Sequence, residues 1–178
     1  LQFIRKNNKK IPLKNKKKII LGYHGNKIHL SAMYPRITDA INKIALEFDI
    51  ELWAMYNIKK LGKYNFDKNI LFKVKHIQYS EDNYDKYLAQ CDIGLVPQLM
   101  PVKKNIFFKF LIGNMMKKYS ESNNDFFLRF KETTNLGRHF VFAQYSIPVI
   151  SDLSPSACKF IDHGINGYLA HHTGSWYM

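Results

Sequence analysis

The sequence predicts an α/β fold, a Rossmann-like parallel sheet of about six strands with helices on both faces. Three observations predict it. Short apolar runs alternate with stretches of helical spacing, the order that builds a parallel sheet through right-handed crossovers. The run Ser146-Ile147-Pro148-Val149-Ile150-Ser151-Asp152, followed by Asp162-His163-Gly164-Ile165-Asn166-Gly167-Tyr168-Leu169, reads as strand, helix and second short strand entered through glycines. At 178 residues, 46% apolar and 15% aromatic, the chain is long enough to bury one sizeable core.

The elements follow in order. Residues 1 to 18 hold Arg5, Lys6, Lys9, Lys10, Lys14, Lys16, Lys17 and Lys18 with no acidic residue, broken by Pro12, and read as a basic linker or arm. Residues 19 to 178 form the α/β domain. Its first strand is the apolar run before Gly22-Tyr23-His24-Gly25, and Tyr34 to Phe48 is a helix by the spacing of Ile37, Ile41, Ile44, Ala45 and Phe48. Ile50 to Tyr56 is a second strand and Ile70 to Val74 a third. Asp82 to Ala89 is a helix, and Asp92 to Pro97 a fourth strand that stops at proline. Residues 98 to 130 break the rhythm and read as an insertion with an exposed loop near residue 122. Leu136 to Tyr145 is the helix feeding the Pro148 strand. Gly164 and Gly167 frame the turn into the last strand, after which a further helix is expected but not seen.

Charge and cysteine usage exclude some classes. Lys and Arg number 27 against 14 acidic residues, a formal charge of +13. Nearly all are lysines; Arg5, Arg36, Arg129 and Arg138 are the only arginines, so the residue best suited to forked base and phosphate contacts is scarce. A solvated lysine surface is the simpler reading, and nucleic acid is disfavoured. Contact with an anionic membrane surface stays open as an alternative partner. Cys91 and Cys158 lack metal-ligand spacing and read as two small buried residues in a reducing compartment. No apolar run spans a bilayer and no signal-peptide pattern opens the chain, which predicts a cytoplasmic location.

Parallel sheets bind ligands at the carboxyl ends of their strands, which selects the loops 22–28, 76–80, 97–100, 131–138 and 152–156. Gly22, His24 and Gly25 in the first loop can bring backbone amides close to a diphosphate, or form a plain strand-to-helix turn. Arg138, near a helix start, can fork onto phosphate oxygens. Asp152 and Ser154 read first as helix N-caps. His171 and His172 point different ways on an extended chain, and no metal site is expected.

Over Leu136 to Ala170 the chain resembles the C-terminal, donor-binding half of GT-B glycosyltransferases of the group that includes family 4. The residues that carry the resemblance are Ile147-Pro148-Val149-Ile150, with Ser146 replacing the usual glycine, and Asp162 to Leu169 with one residue inserted. It implies transfer of a sugar from a nucleoside diphosphate sugar, with retention of configuration, no cofactor and no obligatory metal. The acceptor, a glycan or lipid-linked molecule, would sit mainly on an N-terminal domain that this chain lacks, so the chain alone is expected to be inactive.

The resemblance also implies site residues. Arg138, with Lys131, would clamp the donor diphosphate, and Glu132 or Thr133 would lie near the donor sugar. His76 and Gln78, following the third strand, would face the base, and Asn135 and Ser154 are further donor-side candidates. The glutamate expected to hold the ribose falls on Val141 and is missing. That absence supports an alternative, a non-catalytic or degenerate nucleotide-binding module. A weaker alternative is polyanion or membrane-surface binding through residues 1 to 18.

Overall fold

The computed structural model describes residues 18–98, 100–101, 126–127 and 135–177. The six parallel strands are β1 (Lys18–His24), β2 (Asp49–Tyr56), β3 (Lys73–Gln78), β4 (Ile93–Val96), β7 (Val149–Asp152) and β8 (Gly167–Ala170), in the order β3-β2-β1-β4-β7-β8. A two-residue pair, β5 (Met100–Pro101) with β6 (Phe126–Phe127), lies apart and runs antiparallel. The helices are α1 (Lys27–Ser31), α2 (Arg36–Ala45), α3 (Ile58–Leu61), α4 (Tyr84–Leu88), α5 (Gly137–Gln144), α6 (Pro155–Phe160) and α7 (Thr173–Tyr177). The predicted α/β parallel sheet is therefore the observed one.

Strands covered on both faces read as continuous apolar runs, and β2 is buried without a break from Leu52 to Tyr56. Side chains still alternate. Leu21, Tyr23, Leu52, Ala54 and Tyr56 join Ile37, Ile41 and Trp176 in one core cluster, which includes α2 and α7. Ile20, Trp53 and Met55 join Leu88, Phe142 and Ala157 in the other, with α4, α5 and α6. Phe142 is wholly buried, which contributes about 1.5–3 kcal/mol relative to exposure. It seats against Gly94, where an added Cβ would stand 2.6 Å from the ring. Hydrogen bonds stitch β1 to the start of β4: Ile20 N donates to Asp92 Oδ2 at 2.9 Å and Asp92 N to Ile20 O at 2.8 Å.

The glycine-rich motif is a structural device. Asn166 ties its own turn, accepting from Asp162 N at 2.9 Å and donating to Phe160 O at 3.1 Å. Gly167 pairs with Val149, and a Cβ there would come within 2.4 Å of the Val149 carbonyl oxygen. Pro148 precedes the strand, where its missing donor goes unneeded while its carbonyl accepts from Gly94 N at 2.9 Å.

Some boundaries differ from expectation. The third strand runs from 73 to 78 rather than 70 to 74, because Lys73 and Lys75 alternate with half-buried Val74 and His76 on a strand at the sheet edge, while Phe72 plugs the core from the preceding loop. Cys158 is exposed, not buried, because it lies about 100° round α6 from the core-facing Ala157. The last described residues form α7, a helical turn directly after the last strand, where a helix is expected but none is evident in the sequence. Residues 1 to 17 and most of the predicted insertion lie outside the described residues.

Candidate functional site

The chain leaves β1 toward β2 and leaves β4 toward β7, so the loops after these neighbouring strands diverge and open a crevice at their carboxyl ends. Three segments meet there: His24 to Asn26 after β1, Pro97 and Gln98 after β4, and Asn135 to Arg138 at the start of α5.

Arg138 stands in the first turn of α5 and joins the two loops. Its Nη1 donates to Pro97 O at 3.0 Å, and a Cβ on Gly25 would meet its Cδ at 3.3 Å and the Tyr23 hydroxyl at 3.0 Å. Gly25 has φ +148°, a conformation that a side chain would strain, and its N–H donates to Met55 O at 3.1 Å. Tyr23 is fully buried and its hydroxyl donates to Asn26 O at 2.6 Å. Asn26 caps α1 by accepting from Ile28 N at 3.0 Å, which fixes the exit from this loop.

The electrostatics of this edge centre on the Arg138 cation. Burial lowers the Arg138 pKa, opposed by Tyr23 and Asp152, yet a guanidinium stays protonated throughout the accessible range. Two imidazoles flank it. His24 is pushed down to about 4, first by burial and then by the Arg138 charge, and its ring meets Phe142 edge-on at 5.2 Å. His139 is fully buried, shares a 2.9 Å hydrogen bond with Ser151 Oγ, and is pushed down to about 4 by the same two causes. Both are neutral at pH 7. The nearby Asp152 carboxylate is committed elsewhere: it forms a fully buried ion pair with Arg36 and accepts from Gln98 N at 2.6 Å. Among the described residues Arg138 has no ion pair, so its charge is left to attract an anion.

Of the residues expected at the site, His24, Gly25 and Arg138 come together. Gly22 does not join them: it is buried inside β1, and a Cβ there would lie 2.6 Å from Cys91 Sγ, so its role is close packing. His76 and Gln78 lie within β3, not after it. His76 Nδ1 pairs with the Tyr56 hydroxyl at 2.9 Å, and Gln78 accepts from Lys59 N at 2.9 Å and donates to Tyr79 O at 2.8 Å. Two strands separate β3 from β4, about 14 Å of sheet, so these residues do not reach Arg138. Asn135 accepts from Gly137 N at 2.7 Å and starts α5, and Ser154 caps α6 by accepting from Ala157 N at 3.2 Å. Lys131, Glu132 and Thr133 lie outside the described residues.

Asp152, expected as a cap, is instead the buried partner of Arg36. The signal was an acid at the end of a buried strand, a place where charges occur only when paired. His139, Ser151 and Gln98 were not singled out. His171 and His172 do not point apart: their rings meet at 4.3 Å because the chain turns into α7, where Ser175 Oγ accepts from both backbone amides. Among the described residues there is no group of three or more His, Cys, Asp or Glu able to hold a metal ion, and no helix is long and apolar enough to cross a membrane.

No protein-family model and no curated protein sequence matches the chain. Among solved structures the fold is similar to that of Anabaena HepE in complex with UDP and glucose, at 14% identity and a TM-score of 0.47, covering 90% of this chain and 36% of HepE. The HepE complex with UDP-glucose gives 12% identity and a TM-score of 0.46, covering 90% of this chain and 37% of HepE. The chain thus spans little more than a third of the length of that protein.

Proposed function

We propose that the chain is the donor-binding half of a GT-B glycosyltransferase, taking a sugar from a nucleoside diphosphate sugar and passing it to an acceptor held by another domain. One observation carries the reading: Arg138, half-buried and without an ion pair among the described residues, bridges the loops after β1 and β4 at the switch point of a six-stranded parallel sheet. The Ile147-Pro148-Val149-Ile150 and Asn166-Gly167 motif supports it by resemblance. In this reading Arg138 and the backbone around Gly25 hold the diphosphate, and the guanidinium offsets the charge that grows on the leaving phosphate as the glycosidic bond breaks. Positioning of the acceptor hydroxyl supplies the rest of the acceleration. Retention of configuration and independence of metal are part of the proposal.

The test is a thermal-midpoint panel with UDP, GDP, ADP and their sugars. One base is expected to raise the midpoint, with stabilisation of about 2.7 kcal/mol at a ligand concentration of 100 Kd. A flat panel contradicts donor binding. A second reading, a non-catalytic nucleotide-binding module, is favoured by Val141, which packs against the apolar cluster around Phe142 and offers no carboxylate. It predicts the same midpoint shift but no transfer once the acceptor domain is supplied.

A further inference from the structure

The peptide joining Pro97 to Gln98 is fixed at both polar atoms. Its carbonyl accepts from Arg138 Nη1 at 3.0 Å and its N–H donates to Asp152 Oδ2 at 2.6 Å. Asp152 is held in turn by Arg36, with neither side chain exposed. The backbone from which the Gln98 side chain departs is therefore set by the interior of the fold.

Gln98 is only 5% exposed, and neither its Nε2 nor its Oε1 has a hydrogen-bond partner among the described residues. Burying a primary amide this way is costly and rare, and such exceptions mark places where something outside the polypeptide completes the bonding. At the same edge His24, at the end of the adjacent strand β1, sets its imidazole against the Arg138 backbone and leaves Nε2 outside hydrogen-bond geometry. Among the described residues Asn83 and Trp176 each leave a single atom without a partner, whereas Gln98 leaves both ends of its amide so.

The chemistry of the amide restricts its ligand. Phosphate oxygens only accept, so they would satisfy Nε2 and leave Oε1 bare. A hydroxyl both donates and accepts, and two neighbouring hydroxyls match the amide completely. A nucleotide sugar carries two such pairs, one on the ribose and one on the sugar bonded directly to the terminal phosphate, and only the second is absent from the free diphosphate. Gln98 shares a peptide group with the carbonyl that Arg138 binds, so its backbone adjoins the anion subsite, which favours the pair on the sugar next to the phosphate. We infer that Gln98 is a specificity-determining residue that binds a neighbouring pair of hydroxyls on the donor sugar, Nε2 donating to one and Oε1 accepting from the other. The inference rests on the proposed diphosphate site at Arg138.

Calorimetric titration of the full chain with UDP and UDP-glucose, GDP and GDP-mannose, and ADP and ADP-glucose tests it, using the pair that the wild type binds. Gln98→Leu is expected to weaken the nucleotide sugar about tenfold and to leave the free diphosphate unchanged, whereas Arg138→Ala weakens both. The ligand-free thermal midpoint of Gln98→Leu should equal or exceed that of the wild type, since the change removes unpartnered polar atoms. If that variant fails to fold, Gln98→Met replaces it. Unchanged sugar affinity, or an equal loss for the free diphosphate, overturns the assignment of Gln98 while leaving the diphosphate site standing. A folded wild type that binds no diphosphate removes both.

Discussion

Arg36 and Asp152, 116 residues apart in sequence, form an ion pair from which solvent is wholly excluded. The pair joins α2 to β7, and through Gln98 N it reaches the loop after β4. The Trp176 ring lies 5.7 Å from the Arg36 guanidinium carbon, which ties α7 to the same point. A paired interior charge contributes little net stability, but a widowed one is severely destabilising. Arg36→Met or Asp152→Leu alone should cost about 3–5 kcal/mol in urea unfolding, and the double substitution distinctly less than either. Additive losses would show that the two side chains act independently.

Ser146 occupies a left-handed conformation, φ 54°, at the end of α5, where resembling sequences carry glycine. The position is exposed, and the Ser146 N–H closes the helix on Ala143 O at 2.9 Å. A Cβ in this region costs about 1–2 kcal/mol, partly offset by the greater flexibility of an unfolded glycine. Ser146→Gly should therefore stabilise the domain by about 0.5–1 kcal/mol. A lower denaturation midpoint in this variant would mean that the hydroxyl supports the turn in a way the backbone does not reveal.

His24 and His139 give the domain a defined acid response. Each has a folded pKa near 4 against 6.5 when unfolded, chiefly through burial and secondly through the Arg138 charge. Between these values the unfolded chain binds more protons, so their contribution is fully present above pH 6.5 and is lost as the pH falls toward 4. Urea midpoints at pH 7.5, 6 and 5 should fall in that order, and the fall should flatten in the His24→Gln/His139→Gln double variant. An equally steep fall in that variant would assign the acid sensitivity to other groups.

The fold was legible because β1, β2, β4 and β7 announce themselves as apolar runs bounded by glycine, proline or a polar residue. The third strand was misplaced for a physical reason: Ile70-Leu71-Phe72 has the stronger apolar pattern, yet the edge of the sheet favours the lysine-guarded segment that follows. Arg138 could be located by its distance from Pro148, and Gly25 by the strand-to-helix turn. His139 and Gln98 could not, since what each one does depends on a partner, or the lack of one, that only the folded chain supplies; Asp152, an acid ending a buried strand, signals a paired charge without naming Arg36. Gly22 illustrates the converse error, because a glycine beside a phosphate loop and a glycine beneath a cysteine look alike in sequence.

The central claim is that Arg138 holds a diphosphate between the loops after β1 and β4. Calorimetric titration of the free nucleoside diphosphate that the wild type binds, repeated with Arg138→Ala and Arg138→Lys, tests it most directly. Losing charge-assisted hydrogen bonds of about 1.5–3 kcal/mol should weaken binding roughly ten- to hundredfold in the alanine variant. Lysine, which keeps the charge without the fork, should fall between alanine and wild type. Affinity unchanged in a folded Arg138→Ala protein would contradict the account.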